Sequence, residues 1–301
     1  MFLTDHLRNS MRYLMDRFPR SEPLFRRLWN TYDHVNYSVS SWKNNSSNTG
    51  SATIDPYRTF YIPPEKITYH SGKEFDFISD TSRVVDGDWD KESILFSSML
   101  IHNSFKSHYE DGLDWEETDY YKKKLRAVQE GQYARSRTPT GLKRRFQRLD
   151  ELYSTIEQYG YQTQEQLLSN QNDPMGITST RSLTTFPTDS ILRHEITVDI
   201  GRTGSFYLNE GRHRLSIAKI LDLDLIPVRI AVRHAEWQDL RNQIAASLED
   251  ELRTKSPAKA GGVIGDPLKE KISNVPDGFS HPDIAILFHR RNISLPGETG
   301  L

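Results

Sequence analysis

The stretch that most constrains the fold is residues 195–233, because it encodes five elements joined by short connections. Apolar and polar residues alternate over 196–200 and again over 206–208, on either side of a turn at 201–204 that contains two glycines. This alternation is typical of half-buried strands, so the pair predicts a β-hairpin.

A helix and a buried strand follow the hairpin directly. Leu215, Ala218 and Leu221 have the spacing of one apolar helix face. The run over 226–232 is almost entirely apolar and begins beside Pro227, which is typical of a strand opened by proline. The order strand, turn, strand, helix, strand predicts a mixed α/β (α+β) fold.

The junction of the second strand and the helix carries the motif Glu210-Gly211-Arg212-His213-Arg214. The start of a helix presents free backbone N–H groups and the positive end of the helix dipole, which together favour an anion. Arg212, His213 and Arg214 add cationic or hydrogen-bonding side chains at the same place. The sequence therefore predicts an anion-binding site here.

The remaining chain divides by composition into three predicted units. Residues 1–53 form an N-terminal arm of amphipathic helices followed by a Ser/Asn-rich linker, and residues 54–252 form the core. The core contains a helical insertion at about 91–168, and residues 253–301 form a flexible linker and a short helix near 280–289. The arm is interpreted either as a membrane-surface or partner-docking element or as a helical pair packed on the domain.

Two helices dominate the predicted insertion. Asp114 or Thr118 can cap a helix that runs to Gln129. A second helix runs from Gly141 to Gly160, with an apolar stripe that ends where glycine stops the helix.

The insertion is also strongly basic. Its cationic residues are interpreted either as a phosphate or DNA contact surface or as a solvated helix face. The DNA-contact interpretation rests on Lys122, Lys123, Lys124, Arg126, Arg144, Arg145 and Arg148.

Composition excludes several functional classes. The chain has no cysteine, so disulfides, thiolate catalysis and cysteine-ligated metals are excluded. No apolar run approaches the ~18–20 residues of a membrane span, and the first residues lack a signal-peptide core. We therefore expect a cytoplasmic protein. The formal net charge of −2 does not by itself indicate that the protein binds nucleic acid.

Asp86, Asp88 and Asp90 alternate as at the start of a calcium loop, but Lys91 and Ser97 occupy positions where that loop needs glycine and glutamate. A turn that caps the next helix is one interpretation of these acids. The other is that they lie beside the phosphate site and help to hold Mg²⁺ through a nucleotide.

The motif Glu210 to Arg214, with the helix and the strand IPVRI after it, resembles the ParB/sulfiredoxin superfamily over about 190–234. The resemblance implies a mixed-sheet core that binds nucleotide phosphates, with ATP, ADP or CTP and Mg²⁺ as ligands. It assigns phosphate contacts to Gly211, His213 and Arg214, with Arg212 able to add one.

In kinase-like members the acid at the position of Glu210 acts as general base on a substrate hydroxyl. A carboxylate beside the phosphate donor can accept that proton as phosphoryl transfer begins. The alternatives are an ion pair between Glu210 and a nearby arginine, and a helix-cap hydrogen bond for His213.

The chain departs from this family at two points. Without cysteine it cannot carry sulfiredoxin chemistry, and the helix over 237–252 does not provide the helix-turn-helix of partition proteins. Three hypotheses stay open: a nucleotide-dependent phosphotransferase or nucleotidase, a DNA-associated binder or nuclease, and a non-catalytic interaction module.

Overall fold

A computed structural model of the protein describes residues 22–48, 50–71, 75–76, 78–91, 93–133, 136, 138–163, 166, 195–254, 266–291 and 295. The predicted first helix of the arm and most of the predicted linker over 254–267 lie outside these residues. Within the described residues, no helix is both long and apolar enough to cross a bilayer.

The fold is mixed α/β and is built on one seven-stranded mixed sheet with the order β1-β7-β5-β6-β2-β4, in which β3 also pairs with β7. The strands are β1 (Phe60–Ile62), β2 (Ile67–Ser71), β3 (Arg83–Val85), β4 (Ser93–Leu95), β5 (Ile196–Ile200), β6 (Phe206–Glu210) and β7 (Ile226–His234). β5 and β6 form the predicted antiparallel hairpin, and β7 lies parallel to β5. The prediction for residues 196–234 is therefore confirmed at the level of its elements.

The α-helices of the described residues pack on this sheet or in a separate helical insertion. They are α1 (Glu22–Ser46), α2 (Leu100–Tyr109), α3 (Asp119–Gln129), α4 (Pro139–Tyr159), α5 (Arg212–Ile220), α6 (Ala235–Thr254), α7 (Asp266–Ser273) and α8 (Pro282–His289). One face of the hairpin, with Val198 and Leu208, joins residues of α5, α6 and α8 in a single buried cluster, the main core.

A second buried cluster, the insertion core, lies among α2, α3 and α4. It is rich in aromatic rings: Phe105 and Phe146 both pack edge-on against Trp115, with ring centroids 5.1 and 4.9 Å away. Ile217 of α5 also belongs to this cluster, whereas Leu215 of the same helix belongs to the main core. The helix that begins at the motif therefore connects the sheet to the insertion.

The cap predicted at Thr118 for α3 is confirmed, whereas Asp114 caps the 3₁₀ turn Trp115–Glu117 before it. Asp114 forms a capping box with Glu117, and the Thr118 side chain accepts a hydrogen bond from the Tyr121 N–H. α4 has its predicted buried stripe, which includes Leu142, Phe146 and Leu149, and it ends at Gly160. These caps and stripes are local features, which is why the sequence predicts them well.

Two predicted boundaries are wrong. The helical insertion does not begin at 91, because residues 93–95 form β4 on the edge beside β2 and the first α-helix begins at Leu100. Before the insertion, β1 and β2 are separated by a 3₁₀ turn that starts at Pro64. Proline lacks the N–H that a continuous strand would need there.

The second error concerns the Ser/Asn-rich segment, which up to residue 46 is the last part of α1 and not a linker. Its polar side chains bond to the body of the protein: Asn44 Nδ2 donates to the Thr81 carbonyl at 2.9 Å, and Asn45 Nδ2 donates to the Ile54 carbonyl at 2.9 Å. Tertiary hydrogen bonds thus override the weak helix propensity of these residues. The division into units at 53/54 and 252/253 stays a prediction.

The C-terminal helix α8 is anchored in the main core by a buried carboxylate. Asp283 accepts two hydrogen bonds from Arg233 at 2.9 and 2.7 Å and one from the Trp237 indole at 2.9 Å. Arg241 Nε lies 3.1 Å from the same carboxylate. Burial opposes ionisation of Asp283, but the two arginines outweigh it and hold the pKa of this carboxyl well below its usual range.

A second buried carboxyl lies within the sheet. Asp199 of β5 is fully buried and accepts hydrogen bonds from Asn209 Nδ2 at 3.2 and 3.0 Å and from the Val232 N–H at 3.1 Å. It has no ion pair with a cation among the described residues. Burial therefore raises the pKa of Asp199 to about 7, against the lowering effect of its hydrogen bonds.

Candidate functional site

The motif lies where β6 turns into α5, and the turn depends on Gly211. This residue is the N-cap of α5 and has φ +103°, a backbone conformation that side chains other than glycine's rarely adopt. A Cβ atom added there would lie 3.0 Å from Ile196 Cγ1 and 3.1 Å from Ile196 Cα. Glycine thus lets the chain pass close to β5 and begin the helix directly after Glu210.

The first turn of α5 has no side-chain cap, since Gly211 offers none. The first intrahelical hydrogen bond runs from the Leu215 N–H to the Gly211 carbonyl at 3.0 Å. The backbone N–H groups of Arg212 and Arg214 have no hydrogen-bond partner among the described residues. These are the groups that an anion at a helix N-terminus would contact.

Two side chains of the motif are accessible to solvent at this turn. Arg212 is exposed, and Glu210 is partly exposed at the end of β6, where its backbone pairs with Thr197. Neither side chain forms an ion pair within the described part of the chain. The alternative in which Glu210 pairs with a neighbouring arginine is therefore not what the structure contains.

His213 instead contacts the helical insertion. Its Nε2 atom lies 3.1 Å from the Tyr120 hydroxyl, and its ring centroid lies 5.7 Å from that of Phe105. Tyr120 belongs to α3 and Phe105 to α2. The imidazole thus joins the start of α5 to the insertion core.

Arg214 also points to residues outside the motif. Its Nη1 atom donates to the Tyr161 hydroxyl at 3.2 Å and lies 3.9 Å from the carboxylate of Glu195, which is 1% exposed. Burial raises the pKa of Tyr161, so this hydroxyl stays protonated. Arg214 is thus held by a tyrosine and a buried acid, while Glu210 and Arg212 remain accessible to solvent.

The acidic loop does not belong to this site. Arg202, in the turn of the hairpin, donates to Asp90 from Nε at 3.1 and 3.0 Å and from Nη2 at 2.7 Å, and to Asp88 from Nη2 at 2.9 Å. That turn is at the opposite end of β6 from Glu210, roughly 13 Å away at the usual rise of a strand. The interpretation that these acids lie beside the phosphate site is wrong, because Arg202 holds Asp88 and Asp90 at the other end of the hairpin.

The basic residues of the insertion lie on α3 and α4. Lys122 Nζ donates to the Glu117 carbonyl at 2.6 Å, and Lys124 Nζ lies 5.2 Å from the centre of the Tyr120 ring. Arg145 is partly buried. The side chains that are exposed and form no ion pair with described residues are Lys123, Arg126, Arg144 and Arg148.

Sequence reasoning missed the residues that contact the motif from elsewhere. Tyr120 and Tyr161 are far from residues 212–214 in the chain, and Glu195 is nearer. Each of the three resembles an ordinary helix or loop residue in sequence. Only the packing of the insertion against α5 brings them together. No local pattern could have identified them.

Comparisons with known proteins add no relative: no family model, no curated protein and no solved structure matches the chain.

Proposed function

We propose that this chain is a cytoplasmic nucleotide-binding protein of the ParB/sulfiredoxin type, which holds the phosphates of ATP, ADP or CTP at the start of α5. The observation that carries the proposal is the turn at Gly211. Its left-handed backbone leaves the first turn of α5 without a side-chain cap, and the N–H groups of Arg212 and Arg214 have no partner among the described residues. An anion is the natural partner of such groups.

The side chains around the turn support a negatively charged ligand that is small enough to contact backbone. Arg212 is exposed and unpaired within the described residues, so its guanidinium can reach phosphate oxygens in a bidentate manner. His213 and Arg214 are held by Tyr120 and by Tyr161 with Glu195. In this proposal they orient the start of α5, and the phosphates are contacted by the Arg212 side chain and by the backbone N–H groups of the first turn.

Glu210 makes phosphoryl transfer the favoured reaction class. It is the last residue of β6, it precedes the anion site directly, and its carboxylate has no ion pair within the described residues. A carboxylate in this position can accept the proton of an attacking hydroxyl or water. Among the described residues no three histidine or acidic side chains converge. We therefore assign Mg²⁺ to the phosphates of the nucleotide, since magnesium needs few protein ligands.

Thermal stability with ATP, ADP or CTP and Mg²⁺ is the direct test. A nucleotide present at 100 times its Kd stabilises the folded state by about 2.7 kcal/mol. We expect a rise in Tm of several degrees for at least one nucleotide. Arg212→Gln should reduce this rise, because it removes an exposed cation without touching the core, whereas Arg253→Gln removes an exposed cation on α6 and should leave the rise unchanged.

Absence of any nucleotide effect at millimolar concentrations would contradict the proposed binding. Glu210→Gln separates binding from chemistry. We expect the same nucleotide-induced rise in Tm as in the wild type, but loss of phosphoryl transfer to an acceptor or to water. Phosphate release that continues at the wild-type rate in this variant would remove Glu210 as the base and leave a binding protein.

DNA binding is the second candidate function, favoured by the four exposed cations on α3 and α4 that form no ion pair with described residues. If Lys123, Arg126, Arg144 and Arg148 each neutralise one phosphate, log Kobs should fall with log[salt] with a slope of about −3 to −4. Arg144→Gln with Arg148→Gln should reduce the slope by about 2. Fluorescence anisotropy with a labelled duplex at several salt concentrations measures it.

The matched control is again Arg253→Gln, which should leave the slope unchanged. Failure to bind duplex or single-stranded DNA even at 20–50 mM salt, where such contacts are strongest, would exclude this function for the surface.

A further inference from the structure

The helix α1 is amphipathic in the opposite sense to an ordinary surface helix. The side that faces the protein carries polar contacts: Tyr37 donates from its hydroxyl to the Pro56 carbonyl at 2.8 Å, and Ser41 Oγ lies 3.2 Å from Ser82 Oγ. Asn44 donates to the Ser79 and Thr81 carbonyls at 3.1 and 2.9 Å. Polar residues thus attach α1 to the body of the protein.

The side that faces solvent carries large apolar side chains. Four of them are exposed by 38%, 51%, 55% and 73%, and together we call them the outer seam: Tyr32, Val35, Val39 and Trp42. Contiguous apolar surface of this kind on a folded protein usually marks an interaction site.

The spacing of the outer seam indicates what kind of structural element would pack against it. Its residues are separated by three, four and three positions, which is the a/d pattern of a heptad repeat. In the same register Tyr37 and Asn44 occupy f positions, on the side of the helix away from a and d. The sequence continues the spacing backward to Leu28 and Phe25 within the same helix. A heptad seam is complementary to another helix with the same seam.

Within the described residues no other helix offers that complement. The other exposed large apolar residues are scattered singly or in pairs over strands, turns and helix ends: Tyr61, Ile94, Leu95, Leu100, Leu113, Tyr159 and Leu225. The α1 of a second copy carries the same seam by identity, so it offers that complement.

The residues beside the outer seam are compatible with pairing of identical helices. The e positions that would flank the contact, Asn36 and Lys43, carry one charge, and the g residues Ser38 and Asn45 bond to the Tyr57 hydroxyl and the Ile54 carbonyl of the body. Two copies would therefore bring few like charges together. A basic flank, which anchors an amphipathic helix to anionic lipid, is not present at these positions.

We propose that α1 is a dimerisation helix, and that two copies of this chain associate through their outer seams as a two-stranded coiled coil. The contact would bury Val39 and Trp42 of each copy and leave the motif at α5 on the body of each protomer. The proposal is independent of the nucleotide-binding function, because it rests on α1 alone.

Molar mass in solution, measured by light scattering after size-exclusion chromatography at about 100 μM, tests the proposal. The monomer is 34.9 kDa, so the wild type should have a mass of about 70 kDa that falls on dilution. Val35→Glu with Val39→Glu should give the monomer mass, because identical charges would meet in the seam. Leu225→Glu is the matched control: it adds a charge at an apolar residue that is 52% exposed, outside α1, and should leave the dimer intact.

Charge complementation distinguishes a shared seam from a folding defect. Val35→Lys with Val39→Lys should also be monomeric, and a mixture of the Glu and Lys variants should regain the dimer mass in either helix orientation. Three results would overturn the proposal. They are a wild type at the monomer mass, a Glu variant at the dimer mass, and a mixture that stays monomeric. A monomeric wild type that binds phosphatidylserine vesicles, with the Glu variant unable to do so, would identify lipid as the occupant instead.

Discussion

Replacement of Asp283 by asparagine is expected to lower the free energy of unfolding by about 3–5 kcal/mol, the usual effect of removing one partner from a buried ion pair. The carboxylate is fully buried and contacts Arg233, Arg241 and Trp237. Asparagine keeps the shape of the side chain but removes its charge. Both guanidinium groups, which are 2% exposed, would then remain buried without their counter-ion.

Urea denaturation of both proteins, followed by far-UV circular dichroism at pH 7, measures this effect. The control is Glu249→Gln, because Glu249 pairs with Arg291 at 2.6 Å and links α6 to the end of α8 at a partly exposed position. Exposed pairs contribute about 0–1 kcal/mol, so this variant should remain close to wild type. Equal losses for the two variants would show that Asp283 does not anchor α8 through its charge.

The same ion pair has a pH signature. The arginines lower the pKa of Asp283 in the folded state. The contribution of this carboxylate to the free energy of unfolding is therefore present above the usual pKa of a carboxyl, and it is lost as the pH falls through the lower pKa of the folded state.

Asp199 should produce a pH dependence of the opposite sign. Burial raises its pKa to about 7, above the 3.8 that is usual for an aspartate, so the folded state binds the proton more tightly than the unfolded state does. The stability that this proton confers is fully present below about pH 4 and is lost as the pH rises towards 7. Asp199→Asn keeps a neutral side chain at every pH. The difference in unfolding free energy, wild type minus variant, should therefore fall by up to about 1.4 kcal/mol per pH unit across this window.

The measurement is the free energy of unfolding in urea at several pH values between 4 and 8, for the wild type and the variant. Taking the difference removes other titrating groups, such as His281, whose burial lowers its pKa to about 4. Asp239→Asn, at an exposed carboxylate on α6, should give a profile parallel to the wild type. A constant difference between the wild type and Asp199→Asn would mean that Asp199 is not protonated in the folded protein near neutral pH.

Local features of this protein are readable from its sequence. The hairpin, α5 and β7 follow from alternation and from helical spacing over a few residues, and the stops at Gly160 and at the caps of α3 follow from single residues. The position of the motif between β6 and α5 was predictable for the same reason, since Glu210, Gly211 and Arg212 are consecutive. What these residues bind stays a prediction.

Features that depend on distant contacts are not readable in this way. β3 and β4 are three residues long, which is too short for an alternation to be visible. The helix over the Ser/Asn segment exists because residues around Ile54 and Thr81 accept its hydrogen bonds. The contacts of His213 and Arg214 with Tyr120 and Tyr161 depend on how the insertion packs against α5.

The sheet order has a consequence for synthesis of the chain. β2 ends at Ser71, yet its parallel partner β6 begins only at Phe206, and β1 pairs with β7 still later. At translation rates of about 5–20 residues per second, the early strands wait on the order of ten seconds for these partners. The contacts between α3 and α4, in contrast, join nearby residues and can form as the insertion leaves the ribosome. The nascent chain should therefore acquire its helical insertion first, and the strand edges of residues 60–71 stay open to chaperones or to misassociation until the motif has been made.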